Sequence, residues 1–407
     1  MSNFLKKMSE KFAVVLLLSA VAGVVLGILL GDKAKYIKPL GTVFTRLLTM
    51  VVPVLVFFSI SSSFANIGNA RKLSKWAGKV IGWFLVTTFV GTIIGIIMGV
   101  IFKPGLGIGL PNGADYEVTK ITADMFIDWL PENAVGALAE GNTIQIVFLS
   151  IFVGIAAVCL PEGKSKDTVL NLLNSMQDLT LKIVQGIMYY APIGICCLMA
   201  SSISSLKGAF LKEMGSFLIA VTLGFAIHVV VCYFGVLKFM AKISPIRFTK
   251  KLFPALITAF TTTSSAGTMP LTLQCVKNIG CDDEIADFGV PLGVTFNMDS
   301  MAVEIPLYIM LGMFAIGQSP SIPQLLLFGL MGVAFSIGCA GVPGGGLAIA
   351  VILINAFGLP VEVVGWIAAI FFYLDITGTT INIWGDAVCT TIVAKSEGMF
   401  SMEKFNS

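Results

Sequence analysis

Long apolar runs separated by short polar stretches dominate the first 250 residues. A helix that crosses a bilayer needs roughly 20 mostly apolar residues. Runs of about that length predict spans at 12–31, 40–66, 77–102, 143–160, 182–205 and 214–240. The first run is longer than the apolar part of a typical signal peptide, and no small-residue cleavage site stands out. We therefore expect it to be retained as a span.

After residue 251 the apolar runs are interrupted by polar or glycine-rich clusters. A Ser/Thr/Gly cluster splits "LFPALITAFTTTSSAGTMPLTLQCV" (252–276), and "SIGCAGVPGGG" (336–346) splits a later run. A long helix with internal polar residues follows each broken run. With one topological flip between the two copies, these units form inverted repeats. Inverted repeats with broken helices mark the binding sites of secondary transporters, because freed backbone groups in a membrane need protein, water or an ion. A glycine-rich helix-packing face is the alternative for the second break.

Composition and charge support a polytopic all-α membrane protein. The chain is 56% hydrophobic and 12% charged, whereas soluble proteins carry about 25% charged residues. Basic clusters precede residue 12 and occupy 67–79 and 238–251, while 113–140 is mostly acidic. Because basic short loops stay in the cytoplasm, these three segments should be cytoplasmic and 104–142 external. No basic face with aromatic residues suggests nucleic-acid binding, and the cysteines lack metal-ligand spacing.

Carboxylates inside the apolar helices are the strongest functional signal. Four acids occupy such positions: Asp299, Glu304, Asp375 and Asp386. In the last helix one stripe, with spacings of four, three and four, contains Asp375, Thr379, Asn382 and Asp386. The 117 residues from 278 to 394 contain no lysine or arginine. Unpaired carboxylates there need a cation or a proton, and oxygen ligands suit an alkali cation or an ammonium group. A polar network that locks helices together is the alternative.

Other chemistry has weaker support. Thr87 and Thr88 alone are typical of helix threonines that bond to the preceding turn. The single histidine, His228, is expected to make an interhelical hydrogen bond, with a proton relay as the alternative. No phosphate-binding loop, nucleophile–base pair or metal cluster is evident, so neither an ATP-driven pump nor an intramembrane enzyme is indicated.

Several motifs together resemble those of the dicarboxylate/amino acid:cation (sodium) symporters. They are "YYAPIGI" (189–195), "TTTSSAGTMPLT" (261–272), "PLGVTFNMDS" (291–300), "GCAGVPGGG" (338–346) and "TTINIWGDAVCTTIVAK" (379–395). The resemblance covers nearly the whole chain. The family includes archaeal aspartate transporters and mammalian glutamate and neutral amino acid carriers. The resemblance implies eight transmembrane helices with two re-entrant hairpins, a homotrimer in membrane lipid, and elevator movement of a transport core against a scaffold.

This resemblance divides the chain into a scaffold and a transport core. Scaffold spans 1 and 2 fall in 1–76, and spans 4 and 5 fall in 143–205. The transport core is expected to contain span 3 (77–102), span 6 (214–240), hairpin 1 (249–277), span 7 (284–317), hairpin 2 (321–357) and span 8 (361–396).

The resemblance also implies three sodium sites and a substrate site. The first sodium set is Asn297, Asn382, Asp386 and the Gly293 carbonyl; the second is Thr87, Thr88, Asn297 and Asp299. The third is Thr295 with the backbone of Ser336, Ile337 and Cys339. The substrate positions are Ser264, Ser265, Met301, Val342, Gly346, Asp375, Gly378, Thr379 and Asn382. Asp375 matches the acid that holds the α-amino group, and Ser265 and Asn382 match groups that hold the α-carboxylate.

Three departures from the family pattern bear on the substrate. Gly378 and Thr263 stand where acidic-substrate members carry arginines, and Met301 replaces a threonine that helps to hold the side-chain carboxylate. Without a guanidinium group a second carboxylate has no bidentate partner. Glu304 occupies a position that is commonly aromatic. Glu304 could accept a cationic side chain, or in a protonated form it could hydrogen-bond a hydroxyl or carry a proton.

We therefore expect a symporter that couples sodium entry to uptake of a neutral α-amino acid such as serine, threonine or alanine. Co-transported sodium ions are expected, and no organic cofactor. The expected location is the plasma (inner) membrane, with both termini cytoplasmic. The alternatives are an acidic amino acid, a dicarboxylate or a cationic amino acid as substrate, proton coupling, and a cation channel. The broken hairpin at 336–346 is expected to close over the bound amino acid.

Overall fold

The described part of the protein consists mainly of α-helices. The structure is a computed structural model that describes residues 12–73, 76–108, 127, 130–141, 143–339 and 344–406. In those residues the chain outside the helices contains an isolated antiparallel bridge between Cys281 and Phe400. The all-α prediction is confirmed. The basic residues before position 12, most of the acidic segment and Val342 lie outside the described residues.

The first part of the chain contains long helices in an almost unbroken series. They are α1 (Phe12–Leu30), a 3₁₀ turn (Gly31–Tyr36), α2 (Lys38–Leu73), α3 (Ala77–Phe102), α4 (Ala134–Glu140), α5 (Thr143–Cys159), α6 (Lys164–Met188) and α7 (Ala191–His228). A π-helical segment (Val229–Gly235) and α8 (Val236–Phe239) continue α7 directly.

Two boundaries differ from those expected between spans 4 and 6. The expected span at 182–205 starts inside α6 and crosses a break at Tyr189–Tyr190, after which Pro192 lies in the first turn of α7. Proline is favoured there because first-turn N–H groups have no helical partner. The expected connection between 205 and 214 is instead part of α7. No proline occurs in that stretch, so nothing removes a hydrogen bond from the helical ladder.

The second part contains helices that end and restart within a few residues. They are α9 (Pro245–Thr262), α10 (Ser265–Ile279), α11 (Asp283–Phe296), α12 (Asp299–Ala315), α13 (Ile322–Gly338), α14 (Gly345–Ala356), α15 (Glu362–Ser396) and α16 (Met402–Asn406). Between α9 and α10, Thr263 adopts a left-handed conformation with φ of 50°. The Ser264 side chain then accepts a hydrogen bond from the Gly267 N–H and caps α10.

Helices of spanning length recur through the described part of the chain. Four are long and apolar enough to cross a membrane: Ala77–Phe102, Lys212–Phe239, Asp283–Ala315 and Glu362–Ser396. A fifth results if Lys164–Ile187 and Ala191–Ser201, bent by 57°, count as one span. Shorter apolar helices include Ile322–Ile337 and Gly345–Ala356. The total of eight spans stays a prediction.

Apolar side chains cover the outer face of α3. Val86, Phe89, Ile93, Ile97 and Ile101 follow one another at helical spacing, and each is at least 40% exposed. A continuous apolar stripe of this kind is unfavourable against water but suits hydrocarbon. The face therefore fits a helix that contacts lipid.

The inner helix α12 forms the centre of the molecule. All its residues are buried, and it packs against α3, α13 and α15. Its contact with α3 depends on small residues, because a Cβ atom on Gly95 would lie 2.3 Å from the Val303 carbonyl oxygen. Small residues let membrane helices approach until their backbones touch. The close approach of α3 fixes the position of α12 in the core.

We predict that Gly95→Ala destabilises the protein, because the added methyl group overlaps the Val303 backbone. Overpacking of this kind costs about 1–3 kcal/mol. Gly82→Ala is the matched control in the same helix, since a Cβ there has no neighbour within 4 Å. Thermal unfolding of the purified protein in detergent should show a lower midpoint for Gly95→Ala only. Equal midpoints for the two variants would contradict the packing described here.

Candidate functional site

A break between α11 and α12 lies at the centre of the candidate site. Asn297 and Met298 have non-helical backbone angles, with ψ of 89° and 68°. Side chains from other helices form hydrogen bonds with the backbone groups that the break leaves without helical partners. Ser336 donates a hydrogen bond to the Met298 carbonyl oxygen at 2.8 Å, and the Ser300 N–H donates to Asn382 Oδ1 at 2.9 Å. The break is therefore a fixed part of the core that connects α12, α13 and α15.

Buried carboxylate, hydroxyl and amide groups collect around this break. Thr88 Oγ1 donates to Asp299 Oδ1 at 3.4 Å, and Thr87 Oγ1 donates to Asn297 Oδ1 at 3.4 Å. Asn297 Nδ2 in turn donates to Asp386 Oδ1 at 3.1 Å. All five side chains are at most 1% exposed. We call this set, with Tyr233 and His228 described next, the oxygen cluster.

The π-helical segment brings two further side chains to Asp299. Tyr233 donates a hydrogen bond to Asp299 Oδ2 at 2.8 Å, and His228 Nε2 lies 3.3 Å from the same oxygen. The two rings meet edge to face with centroids 5.1 Å apart. Residues five apart lie on different faces of an α-helix, but the i→i+5 pattern of a π-helix brings them together. The sequence predicted an interhelical hydrogen bond for His228, with a proton relay as the alternative. It did not identify Tyr233, because the contact of Tyr233 with Asp299 depends on the π-helical segment.

Glycines let the two aspartates lie directly against helix backbone. A Cβ on Gly385 would be 2.6 Å from Asp299 Oδ2, and a Cβ on Gly293 would be 2.5 Å from Asp386 Oδ1. Asp386 Oδ2 is buried and has no hydrogen-bond partner among the described residues. Since an unpaired buried carboxylate oxygen is costly, this corner of the oxygen cluster suits a cation.

A cleft next to the oxygen cluster contains most of the expected substrate positions. It has an empty volume of about 360 Å³, including the space at its mouth. Seven of the nine expected positions line it: Ser265, Met301, Gly346, Asp375, Gly378, Thr379 and Asn382. Ser264 caps α10 instead, and Val342 is outside the described residues. Ser300, Glu304 and Cys339 also line the cleft.

Asp375 connects the two broken hairpins across this cleft. Its carboxylate interacts with the Thr263 hydroxyl in the α9–α10 turn and with the Gly344 N–H before α14. Gly346 packs against Met301, because a Cβ there would lie 3.0 Å from the methionine sulfur. The cleft is thus enclosed by both hairpins together with α12 and α15.

Only some of the residues expected to form the third sodium site share one environment. Ser336, Ile337 and Cys339 are buried at the end of α13, whereas Thr295 is exposed and its hydroxyl donates to the Leu292 carbonyl of its own helix. The structure therefore brings together the second set and, from the first set, Asn297, Asp386 and Gly293. Asn382 of the first set lines the neighbouring cleft, and Thr295 is exposed.

The site as a whole is acidic and rich in oxygen ligands. The cleft lining includes the carboxyl groups of Asp375 and Glu304, and no basic residue is among the described lining residues. Groups of three or more His, Cys, Asp or Glu side chains suited to a metal ion are absent from the described chain. The cluster combines carboxylate, amide and hydroxyl oxygens, which are ligands for hard cations.

Comparison with known proteins supports the assignment that the motifs suggest. The profile of the sodium:dicarboxylate symporter family matches residues 12–396. The chain belongs to this family. As a member of the sodium:dicarboxylate symporter family, it is an integral membrane transport protein rather than an enzyme.

Individual relatives differ in their named substrates and ions. A proton/glutamate-aspartate symporter of Bacillus subtilis (strain 168) is 28% identical over 98% of each chain. Excitatory amino acid transporter 3 of Oryctolagus cuniculus is 29% identical over 93% of this chain and 85% of its own. The L-cystine uptake protein TcyP of Shouchella clausii (strain KSM-K16) is 26% identical over 99% and 93%. This family member thus has relatives named for both acidic amino acids and cystine.

If the oxygen cluster holds a sodium ion, we predict that Tyr233→Phe changes the affinity for sodium without unfolding the protein. The hydroxyl that is lost donates to Asp299 and orients it, and a hydrogen bond to a charged group is worth about 1.5–3 kcal/mol, which limits the change in affinity to roughly tenfold or somewhat more. Sodium-dependent thermal stabilisation of purified protein measures the effect through ligand linkage. Tyr373→Phe is the matched control, because its hydroxyl pairs with Thr222 outside the oxygen cluster. An unchanged sodium midpoint in Tyr233→Phe would contradict a cation-binding role for the cluster.

Proposed function

We propose that the protein is a secondary symporter that couples sodium entry to uptake of a neutral α-amino acid. One observation carries the proposal: the cleft has a carboxylate for an α-amino group but no described basic side chain for a second carboxylate. The neighbouring oxygen cluster offers sites for the driving cation. Serine, threonine and alanine are the substrates we expect.

In this proposal Asp375 pairs with the substrate α-ammonium group. Its position between the hairpin turns lets one ion pair draw both hairpins toward the amino acid. Ser265, the first residue of α10, and Asn382 are assigned to the α-carboxylate, for which the N-terminus of α10 is electrostatically favourable. Gly378, Thr379, Met301 and Gly346 surround the side chain and offer it no positive charge.

Sodium is assigned to the oxygen cluster. Asp299, Asn297, Thr87 and Thr88 form one proposed site. Asp386, Asn382, the Gly293 carbonyl and again Asn297 form another. The Ser300 N–H donates a hydrogen bond to Asn382 Oδ1, and both residues line the cleft. Ser300 follows Asp299 directly, and Asn382 lies one turn from Asp386. Ion binding at the aspartates and amino acid binding in the cleft would therefore order the same segment of chain.

Thermodynamic coupling follows from the cost of burying unpaired charge. Carboxylates without a cation are expensive in a low-dielectric core, so the transport core crosses the bilayer most readily when ions and substrate neutralise one another. The second hairpin, which contributes Cys339 and Gly346 to the cleft, has to move before substrate can leave. We further propose a homotrimer, elevator movement of the core and cytoplasmic termini, as the family resemblance implies.

The relatives named for glutamate and aspartate favour an acidic substrate instead. Their identity to this chain is below 30%, and the substrate side chain contacts only a few residues. The chain has Gly378 and Thr263 at the two positions where the resemblance leads us to expect arginine. Burying an unpaired substrate carboxylate costs several kcal/mol. The cystine relative indicates that the named substrates of the relatives are not confined to acidic amino acids.

Uptake into proteoliposomes tests the function directly. We predict that radiolabelled serine, threonine or alanine accumulates when an inward sodium gradient is imposed and not with an equal potassium gradient. Flux of cation without any amino acid would indicate a channel. Accumulation driven by a proton gradient alone would show that the coupling ion is wrong.

We predict that Asp386→Asn raises the sodium concentration needed for half-maximal uptake by at least about tenfold, since it removes one full charge from the proposed site. Asp287→Asn is the matched control, because Asp287 pairs with Lys277 outside the oxygen cluster. Sodium titration of uptake by both variants is the measurement. A sodium requirement in Asp386→Asn equal to that of the control would show that the ion lies elsewhere.

We predict that Gly378→Arg combined with Glu304→Gln shifts the substrate preference toward aspartate. An arginine at 378 alone would start next to Glu304, whose Oε1 lies 3.3 Å from the expected Cβ, and would pair with it. The Ser300 hydroxyl, 2.8 Å from that Cβ, also has to rotate. Inhibition of serine uptake by aspartate should appear in the double variant and be absent in the wild type and in Glu304→Gln. Failure of the double variant to bind aspartate would contradict the role assigned to Gly378.

A further inference from the structure

Glu304 is a buried acid in the cleft lining that the proposed function does not use. Glu304 is 2% exposed and belongs to helix α12, all of whose residues are buried. Tyr308, one turn later, donates a 2.5 Å hydrogen bond to Glu304 Oε2. Among the described residues no donor reaches Oε1, which is buried. One half of this carboxyl group is therefore fixed by the protein, and the other half lacks a protein partner.

The unpartnered oxygen faces the substrate cleft at Gly378. Both residues line the cleft, and a Cβ on Gly378 would lie 3.3 Å from Glu304 Oε1. Gly378 lies three residues after Asp375, the proposed partner of the substrate α-amino group. Three residues of helix rise about 4.5 Å. A side chain of two or three heavy atoms, extended by one hydrogen bond, covers that distance.

Leaving such an oxygen unsatisfied is costly, so the partner should come with the substrate. Loss of a buried hydrogen bond leaves the unpaired group with its full desolvation penalty, which is larger for a charged group. The lining contributes the hydroxyls of Ser300 and Thr379 and the thiol of Cys339 but no lysine or arginine that could pair with Glu304. A substrate with an apolar side chain would leave Oε1 without a hydrogen-bond partner throughout transport.

We propose that Glu304 is a specificity-determining residue whose Oε1 hydrogen-bonds a hydroxyl on the substrate side chain. The carrier then selects short hydroxyl-bearing amino acids over apolar ones of the same shape. This inference rests on the proposed function and narrows it, because alanine becomes a poor substrate.

A hydroxyl fits this corner better than an ammonium group does. A hydroxyl both donates and accepts, so it can hydrogen-bond Oε1 whether or not that oxygen carries a proton, whereas an ammonium group only donates. The groups that border Glu304 within the cleft are neutral hydroxyls and a thiol together with one acid, Asp375. Tyr308 holds the other oxygen and positions the carboxyl group without contacting the substrate itself.

Isosteric substrates give the sharpest test on the unmodified protein. Serine and 2-aminobutyrate differ by a hydroxyl in place of a methyl group, as do threonine and valine. In sodium-driven proteoliposome uptake, we expect serine and threonine to be preferred at least about tenfold over their apolar isosteres, the ratio that a charge-assisted hydrogen bond gives. Equal uptake within each pair would overturn the inference. Preference for 2,3-diaminopropionate over serine would also overturn the inference, because it would show that Glu304 recognises an ammonium group rather than a hydroxyl.

Two variants at position 304 then assign the preference to the side chain. Glu304→Met replaces the carboxyl group with an apolar chain of similar length, and Glu304→Gln keeps an acceptor oxygen. We expect Glu304→Met to lose the preference for serine over 2-aminobutyrate while still accumulating 2-aminobutyrate, and Glu304→Gln to keep most of it. An unchanged ratio in Glu304→Met would overturn the assignment.

The outcome also separates this inference from the proposed function. If no amino acid accumulates under a sodium gradient, the proposed function fails. If serine, alanine and 2-aminobutyrate accumulate equally, the proposed function stands and the role of Glu304 fails. The wild-type ratio requires no variant to fold, so the inference remains testable even if both substitutions at position 304 destabilise the protein.

Discussion

The need to satisfy buried carboxylates where no lysine or arginine is available governs this structure. Residues 278–394 contain neither residue type, yet Asp299 and Asp386 are fully buried beside the break between α11 and α12. The protein satisfies them in part with hydroxyl and amide donors and with the imidazole of His228 next to Asp299, and Asp386 Oδ2 has no partner among the described residues. Such an arrangement remains electrostatically incomplete, and that incompleteness is what a cation-coupled transporter can use.

The break between α11 and α12 determines which side chains can reach these buried carboxylates. A continuous helix would point Asn297 and Asp299 in different directions and bury no free backbone groups. The interruption lets both side chains reach the same cluster. Ser336 and Asn382 form hydrogen bonds with the backbone groups that the interruption leaves without helical partners. The segment joins the oxygen cluster to the cleft through directly hydrogen-bonded neighbours.

Much of this organisation could be predicted from the sequence, because periodicity and intramembrane charge are local signals. The stripe from Asp375 to Asp386, the polar turn near 263 and the all-α class all depend on residues a few positions apart. Tyr233 could not be predicted in the same way. Its place beside Asp299 depends on a π-helical segment and on the packing of distant helices, and no spacing rule for α-helices reveals it. The continuity of α7 through 206–213 was missed because a drop in hydropathy does not itself end a helix.

The π-helical segment between Val229 and Gly235 also constrains the chain length. A π turn corresponds to one residue inserted into an α-helix, and one residue is equivalent to about 100° of rotation. Deleting a single residue from this stretch could leave an unbroken apolar helix and still turn Tyr233 away from Asp299. The register of this helix is therefore as important as its composition, and a deletion that an external loop would absorb would here disassemble the oxygen cluster.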